Sequence, residues 1–174
     1  MHLMTLKRTF LSALVLVGLS SASAAPILVG TGTNQANLVI NFSSGAIYQY
    51  EVLFDAIDWT GEDLLGHVVD ETALEWEVQV FSFGTLLDGL SIDDHSDVGF
   101  GGGNNWWQYW VRESADDPWQ QAATGFSDRT VSDGAWDGWV YGSASPPMLI
   151  PEPGVGALIL LGFAVLGVRR RFSA

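Results

Sequence analysis

The 174-residue chain contains no cysteine, which excludes a disulfide framework, a thiolate zinc site, an iron–sulfur cluster and a cysteine nucleophile. A chain of this composition has to hold its core by packing alone. Positive charge is almost as scarce: of seven Lys and Arg, Lys7, Arg8, Arg169, Arg170 and Arg171 stand at the two ends. Residues 26–150 keep only Arg112 and Arg129 against nineteen Asp and Glu, a formal charge of −17. Such a field repels a phosphate backbone, so nucleic acid is excluded as a partner. Apolar residues are what the chain has in quantity, at 48% against 16% charged, and that balance excludes full-length disorder. They gather in two terminal runs around a centre rich in Trp, Gly and Asp.

At the N-terminus Lys7 and Arg8 precede the apolar run Phe10 to Leu19, and Ser20 to Ala25 follow with small side chains throughout. A charged start, a short apolar run and an A-x-A end describe a secretory signal peptide. Ten residues make about 15 Å of helix, half of the roughly 30 Å a hydrocarbon core requires. Ala22 and Ala24 fit the cleavage pocket, with Ala25 as the first mature residue, so residues 1–24 are expected to be the signal. The competing assignment, a buried core helix, leaves those flanks without a purpose.

At the other end Pro151, Glu152 and Pro153 are followed by an apolar run from Gly154 to Val168 and then by Arg169, Arg170 and Arg171. As a helix that run spans about 22 Å, which arginine stems can extend by snorkelling to the interface. By the positive-inside rule the arginines stay cytoplasmic, so the acidic centre faces outward after export. The alternative, a C-terminal helix folded onto the domain, would need an apolar groove around a run that has no polar stripe. The order of the three elements resembles the PEP-CTERM sorting signal of exported Gram-negative proteins. That resemblance covers residues 151–174 and implies sorting through the inner membrane and processing by a membrane-embedded exosortase.

Between the ends, Ala36 to Phe42 and Ile47 to Phe54 are runs of β-formers divided by Ser43, Ser44 and Gly45, which predicts a hairpin. Leu64, Leu65, Val68 and Val69 then recur at helical spacing over 61–72, behind a Thr60/Asp63 capping box. Strands are predicted around Trp76 to Phe81, Leu86 to Ile92, Trp106 to Val111 and Asp137 to Tyr141, with a long acidic loop over 93–105. The fold class expected is α+β, a small mixed or antiparallel sheet with one covering helix, over residues 25–142. Residues 143–150 read as a linker to the 151–174 anchor and its transmembrane helix, 154–168.

The segments GEDLLGHV, NNWWQYWV and SDGAWDGWVYG, in that order, resemble the small domain of unknown function related to the C-terminal module of cobalamin carriers such as transcobalamin. Trp107 to Val111, Asp133, Gly134, Trp139 and Tyr141 match that pattern. Arg112, Glu113 and Ser114 depart from it where the family has an Asn-Gly turn, and Ala135 stands where it has a second closing Asp. The resemblance implies a β-grasp-like fold.

Asp93, Asp94 and Asp97 are the densest set of potential oxygen ligands for a cation such as Ca²⁺. The EF-hand spacing fails, because the positions that need Gly and Glu hold Val98 and Asn104. A solvated acidic loop is the simpler account, and no metal or other cofactor is expected. His67 has no Ser or Cys partner at useful spacing, and Glu75 and Glu77 flank Trp76 as the outward side of a strand. No catalytic set emerges, and a non-enzymatic protein is expected. Trp106, Trp107, Tyr109, Trp110 and Trp139 carry the remaining hypothesis. Strand alternation sends Trp106 and Trp110 to one face and Trp107 and Tyr109 to the other. They are either core under two covers or an aromatic platform for sugar rings; a protein contact is the third possibility. Together the residues predict a surface or exopolysaccharide-associated protein, first anchored in the inner membrane with its domain in the periplasm. Its expected partners are the exosortase-type enzyme and extracellular polysaccharide, with a cobalamin-module-like carrier as the alternative.

Overall fold

A computed structural model of the chain describes residues 25–150. The segments expected to be a signal peptide, residues 1–24, and a sorting signal with its transmembrane helix, residues 151–174, lie outside the described residues. Nine strands and one helix follow in the order β1 (Ile27–Gly30), β2 (Asn34–Asn41), β3 (Ile47–Phe54), α1 (Gly61–Glu71), β4 (Glu75–Phe81), β5 (Gly84–Ile92), β6 (His95–Val98), β7 (Trp107–Arg112), β8 (Gln120–Gln121) and β9 (Trp136–Tyr141). The predicted hairpin forms with full antiparallel register from Asn34↔Phe54 to Asn41↔Ile47. The predicted helix starts at its capping box: Asp63 N donates to Thr60 Oγ1 (3.1 Å) and Thr60 N to Asp63 Oδ2 (2.8 Å). Two further N–H groups of its first turn donate outside the helix, Gly61 to Arg129 O (2.9 Å) and Glu62 to Phe126 O (3.0 Å). The segment before β9 thus satisfies helix donors that would otherwise be orphaned.

The architecture is α+β with a mixed six-stranded sheet in the order β1-β3-β2-β9-β7-β8. β9 enters parallel to β2, joining the last strand to the first hairpin, while β7 pairs antiparallel with β9. A second, three-stranded sheet in the order β4-β5-β6 stands beside it, so the expectation of one small sheet undercounts. The long acidic loop is also shorter than expected. Asp93, with φ of 51°, turns the chain back at once, and His95–Val98 pairs with β5 as β6. The sequence HSDV has no alternation of apolar and polar residues, which is why periodicity missed it. β1 and β8 were missed for a similar reason, being edge strands of four and two residues.

Alternation gives the large sheet two faces. Leu38, Ile40, Tyr50, Val52, Tyr109 and Trp139 point to one of them and form a continuous core with Leu64, Leu65 and Val68 of α1 and Leu87 and Leu90 of β5. The other face carries Asn37, Val39, Asn41, Gln108 and Arg112, and it too is buried. Its cover comes from Trp119 and from the segment expected to serve as linker. Asn41 Nδ2 donates to Met148 O (3.1 Å) and Met148 N donates to Asn41 Oδ1 (2.6 Å), holding residues 147–148 against the sheet. Gly138 makes this approach possible, since a Cβ there would stand 2.3 Å from Pro147 Cγ and 3.2 Å from the Trp119 ring. Gly138→Ala should therefore lift this cover and cost about 1–3 kcal/mol of unfolding free energy, the usual range for overpacking. A denaturant midpoint equal to the wild type would contradict the packing of this segment.

Candidate functional site

β7 and β9 supply most of an aromatic cleft. Their register sets Trp107 opposite Tyr141 and Tyr109 opposite Trp139. Tyr109 and Trp139 stack at 4.5 Å with 19° between their planes, and Phe126 meets Trp139 edge-on at 5.3 Å. Above them a cleft of about 270 Å³ opens between these rings, Leu86 and Leu87 of β5, and the polar side chains of Gln121 and Thr124. Trp106 stands at the same cleft and is half-buried. Of the five aromatic residues singled out from the sequence, Trp106, Trp107, Tyr109 and Trp139 are brought together here. Trp110 lies on the opposite face, half-buried, with its indole nitrogen buried and unpartnered.

No tryptophan is exposed: Trp107 and Trp139 are buried and the other six half-buried. Their surroundings account for each. Trp76 packs on the helix, where a Cβ on Gly66 would stand 3.3 Å from its ring. Trp119 and Trp136 receive the Arg112 guanidinium at 4.6 and 4.1 Å from their centroids. Burial pushes the Arg112 pKa down, against the pull of Asp116 and Asp117. The rings offer it a cation–π environment instead of water. The arrangement is a concave cleft rather than a flat platform of coplanar rings.

Beneath the cleft lies a buried polar network that the sequence did not reveal. Tyr109 Oη donates a very short hydrogen bond to Asp137, a carboxylate only 1% exposed. Arg129 Nε donates to the other carboxylate oxygen at 3.3 Å, and its Nη1 reaches Glu113 at 2.9 Å. Burial pushes the Asp137 carboxyl up to about 6, outweighing the Tyr109 hydrogen bond and the Arg129 charge, both of which pull it down. Burial and the neighbouring Asp137 push the Tyr109 hydroxyl above its ordinary value. Burial opposes the charge of Arg129, yet Asp137 and Glu113 hold its pKa above the ordinary value. Both oxygens of Asp137 are engaged and neither faces the cleft, so the group holds structure. The only signal for it was one charge inside the apolar run AWDGWVY.

The acidic candidates are engaged in the same way. Tyr48 Oη donates to Asp93 Oδ2 at 2.7 Å, and burial together with this carboxylate pushes the phenol up to about 12. Ser43 donates to both oxygens of Asp97, from its N at 2.8 Å and from its hydroxyl, while His95 Nδ1 meets Ser44 Oγ at 3.0 Å. These bonds tie β6 to the β2–β3 turn. Asp94 is exposed. Among the described residues no group of three His, Cys, Asp or Glu is placed to hold a metal ion. Glu75 and Glu77 are exposed on either side of half-buried Trp76, as alternation predicts.

Of the residues expected to flank a signal cleavage site, Ala25 is described and exposed. Ala22, Ala24, Pro151, Glu152, Pro153, Arg169, Arg170 and Arg171 lie outside the described residues. Among the described residues no helix is long and apolar enough to cross a membrane. Comparison with protein-family models and with curated proteins finds no match for the chain.

The raised Asp137 pKa has a consequence for stability. Folding holds this proton more tightly than the unfolded chain does, where the value is 3.8. The stabilisation is therefore complete below pH 4 and is lost as pH rises to about 6, roughly 3 kcal/mol in all at 1.36 kcal/mol per pH unit. Asp137→Asn removes that titration. On going from pH 4 to pH 7 the wild type should lose about 2 kcal/mol of unfolding free energy relative to the variant. Equal pH dependence in the two would show that Asp137 does not titrate in this range.

Proposed function

We propose that the chain is a non-enzymatic, exported surface protein whose aromatic cleft takes one ring of an extracellular polysaccharide or a small molecule of similar size. Its route follows from the resemblance of residues 151–174 to the PEP-CTERM signal. The precursor crosses the inner membrane, is held by segment 154–168 with its domain in the periplasm, and passes to the surface or matrix after an exosortase-type enzyme processes it. A β-grasp-like domain is the finer reading of the fold. In its favour, the central strands run β3-β2-β9-β7, with β2 and β9 parallel in the middle and the helix falling in sequence between the β2–β3 hairpin and the antiparallel β7–β9 pair.

The cleft itself carries the binding half of the proposal. A volume of about 270 Å³ falls just below the usual range of ligand sites, roughly 300–1,000 Å³. That size suits a single ring or a short chain rather than a large cofactor. Stacked aromatic walls take the apolar face of a sugar, and Gln121 and Thr124 at the rim offer donors and acceptors to its hydroxyls. The concavity also favours the alternative from another class, a small-molecule carrier of the cobalamin-module kind, which needs a pocket rather than a platform.

One fractionation experiment tests both halves. Trp106→Ala, at a half-buried residue on the cleft, should reach the surface in normal amounts but wash off the producer's polysaccharide. Replacing Pro151, Glu152 and Pro153 with alanines should leave export intact and keep the protein at the inner membrane. Undiminished retention of a folded Trp106→Ala protein would end the binding proposal. Undiminished surface display of the triple variant would end the sorting proposal.

A further inference from the structure

In a domain whose residues 26–150 sum to −17, the aromatic cleft is lined by no charged side chain among the described residues. Two polar groups on its rings are already committed. Trp107 Nε1 donates to Asp97 O at 3.0 Å, and Tyr109 Oη donates to Asp137. What remains polar in the lining is neutral: the hydroxyls of Thr85 and Thr124 and the amide of Gln121.

The charges that border this lining along the chain are carboxylates. Asp88 follows Leu87 directly, and exposed Asp128 stands two residues after Phe126. Arg129 lies beneath the cleft with Asp137 and Glu113 on its guanidinium, at 3.3 and 2.9 Å. Arg112, the other cation of the described residues, is held on the opposite face between Trp119 and Trp136. Neither guanidinium lines the cleft. An anion entering it would give up water without gaining a counter-charge, the costly case of burial. It would also approach against the field of the whole domain.

We infer that the ring taken by this cleft is an uncharged sugar, and that uronic acids are rejected. The inference rests on the cleft's binding of a sugar ring and adds the class of ring it selects. The aromatic walls meet the C–H face of any pyranose alike, so they do not discriminate by charge. The polar groups do: hydroxyls and an amide both donate and accept, which suits sugar hydroxyls, whereas a carboxylate finds neither an Arg fork nor an ammonium. The protein therefore engages a matrix polysaccharide through its neutral residues.

NMR titration of the purified chain with methyl glucoside and methyl glucuronide, and with the corresponding galactoside and galacturonide, tests it at neutral pH. The readout is the indole N–H signals of Trp106 and Trp139. Each pair differs only at the exocyclic carbon, a hydroxymethyl group against a carboxylate. At least one neutral glycoside should shift the signals saturably, and its uronide should bind roughly tenfold more weakly. Salt should narrow that gap without closing it, because screening weakens the field but supplies no counter-charge. Thr124→Lys, at an exposed position of the lining, should narrow it severalfold by supplying one. Glycoside binding that Trp106→Ala abolishes, but in which the uronide matches its neutral partner or Thr124→Lys leaves the gap unchanged, would overturn this inference alone. Absence of saturable binding by all four glycosides would overturn it together with the sugar reading of the cleft.

Discussion

Arg129 ties together parts of the chain that are far apart in sequence. Its side chain pairs with buried Asp137 on β9 and with Glu113 after β7, while its backbone carbonyl accepts from Gly61 at the start of α1. Val131, two residues on, donates to Trp59 O at 2.7 Å. A domain with so strong an excess of acid has few ways to neutralise an internal carboxylate, and both of its cations are held inside. Arg112 serves the opposite face, where Trp119 and Trp136 surround it. Without disulfides, these two residues take on the cross-linking of the irregular 112–136 segment to the sheet.

That arrangement also explains the tryptophans. A six-stranded sheet buried on both faces needs large side chains on either side, and about a hundred residues leave little else to supply them. The core face is covered by α1 and by β5, the other face by Trp119 and Pro147–Met148. Where these covers meet, the rings do not close completely, and the aromatic cleft is the gap left between β5 and the β7–β9 pair. The candidate site therefore lies at the margin of a cover, positioned by the rigid elements around it.

The hairpin, the helix with its capping box, and the strands near Trp76, Leu86, Trp107 and Asp137 were legible because each has its own hydrophobic period and flanking turn residues. β6 was not, because His95, Ser96 and Asp97 are held by partners on the β2–β3 turn rather than by an apolar face. The packing of Pro147 and Met148 was hidden as well. A stretch of Ser and Pro reads as linker whether or not the sheet opposite has an Asn41 to hold it. For the site, the sequence identified the aromatic residues of the cleft, and alternation placed Trp110 on the face away from Trp107 and Tyr109. It gave no sign that Trp106, expected on the face of Trp110, would stand at the cleft with Trp107 and Tyr109, or that Tyr109, Asp137 and Arg129 would form one network. Those facts depend on pairing Tyr109 with Trp139 across strands about thirty residues apart, which no local pattern encodes.

The central claim is that the Arg129–Asp137 pair holds the irregular segment, the helix start and the sheet as one cooperative unit. Chemical unfolding of Arg129→Met, Asp137→Asn and the double variant at pH 7 tests it most directly. Removing one partner of a buried pair leaves an uncompensated charge, so Arg129→Met should lose roughly 3–5 kcal/mol. The double variant should recover a substantial part of that loss, a coupling well outside the few tenths expected of independent sites. An Arg129→Met protein as stable as the wild type, or losses in the two single variants that simply add in the double, would contradict the account.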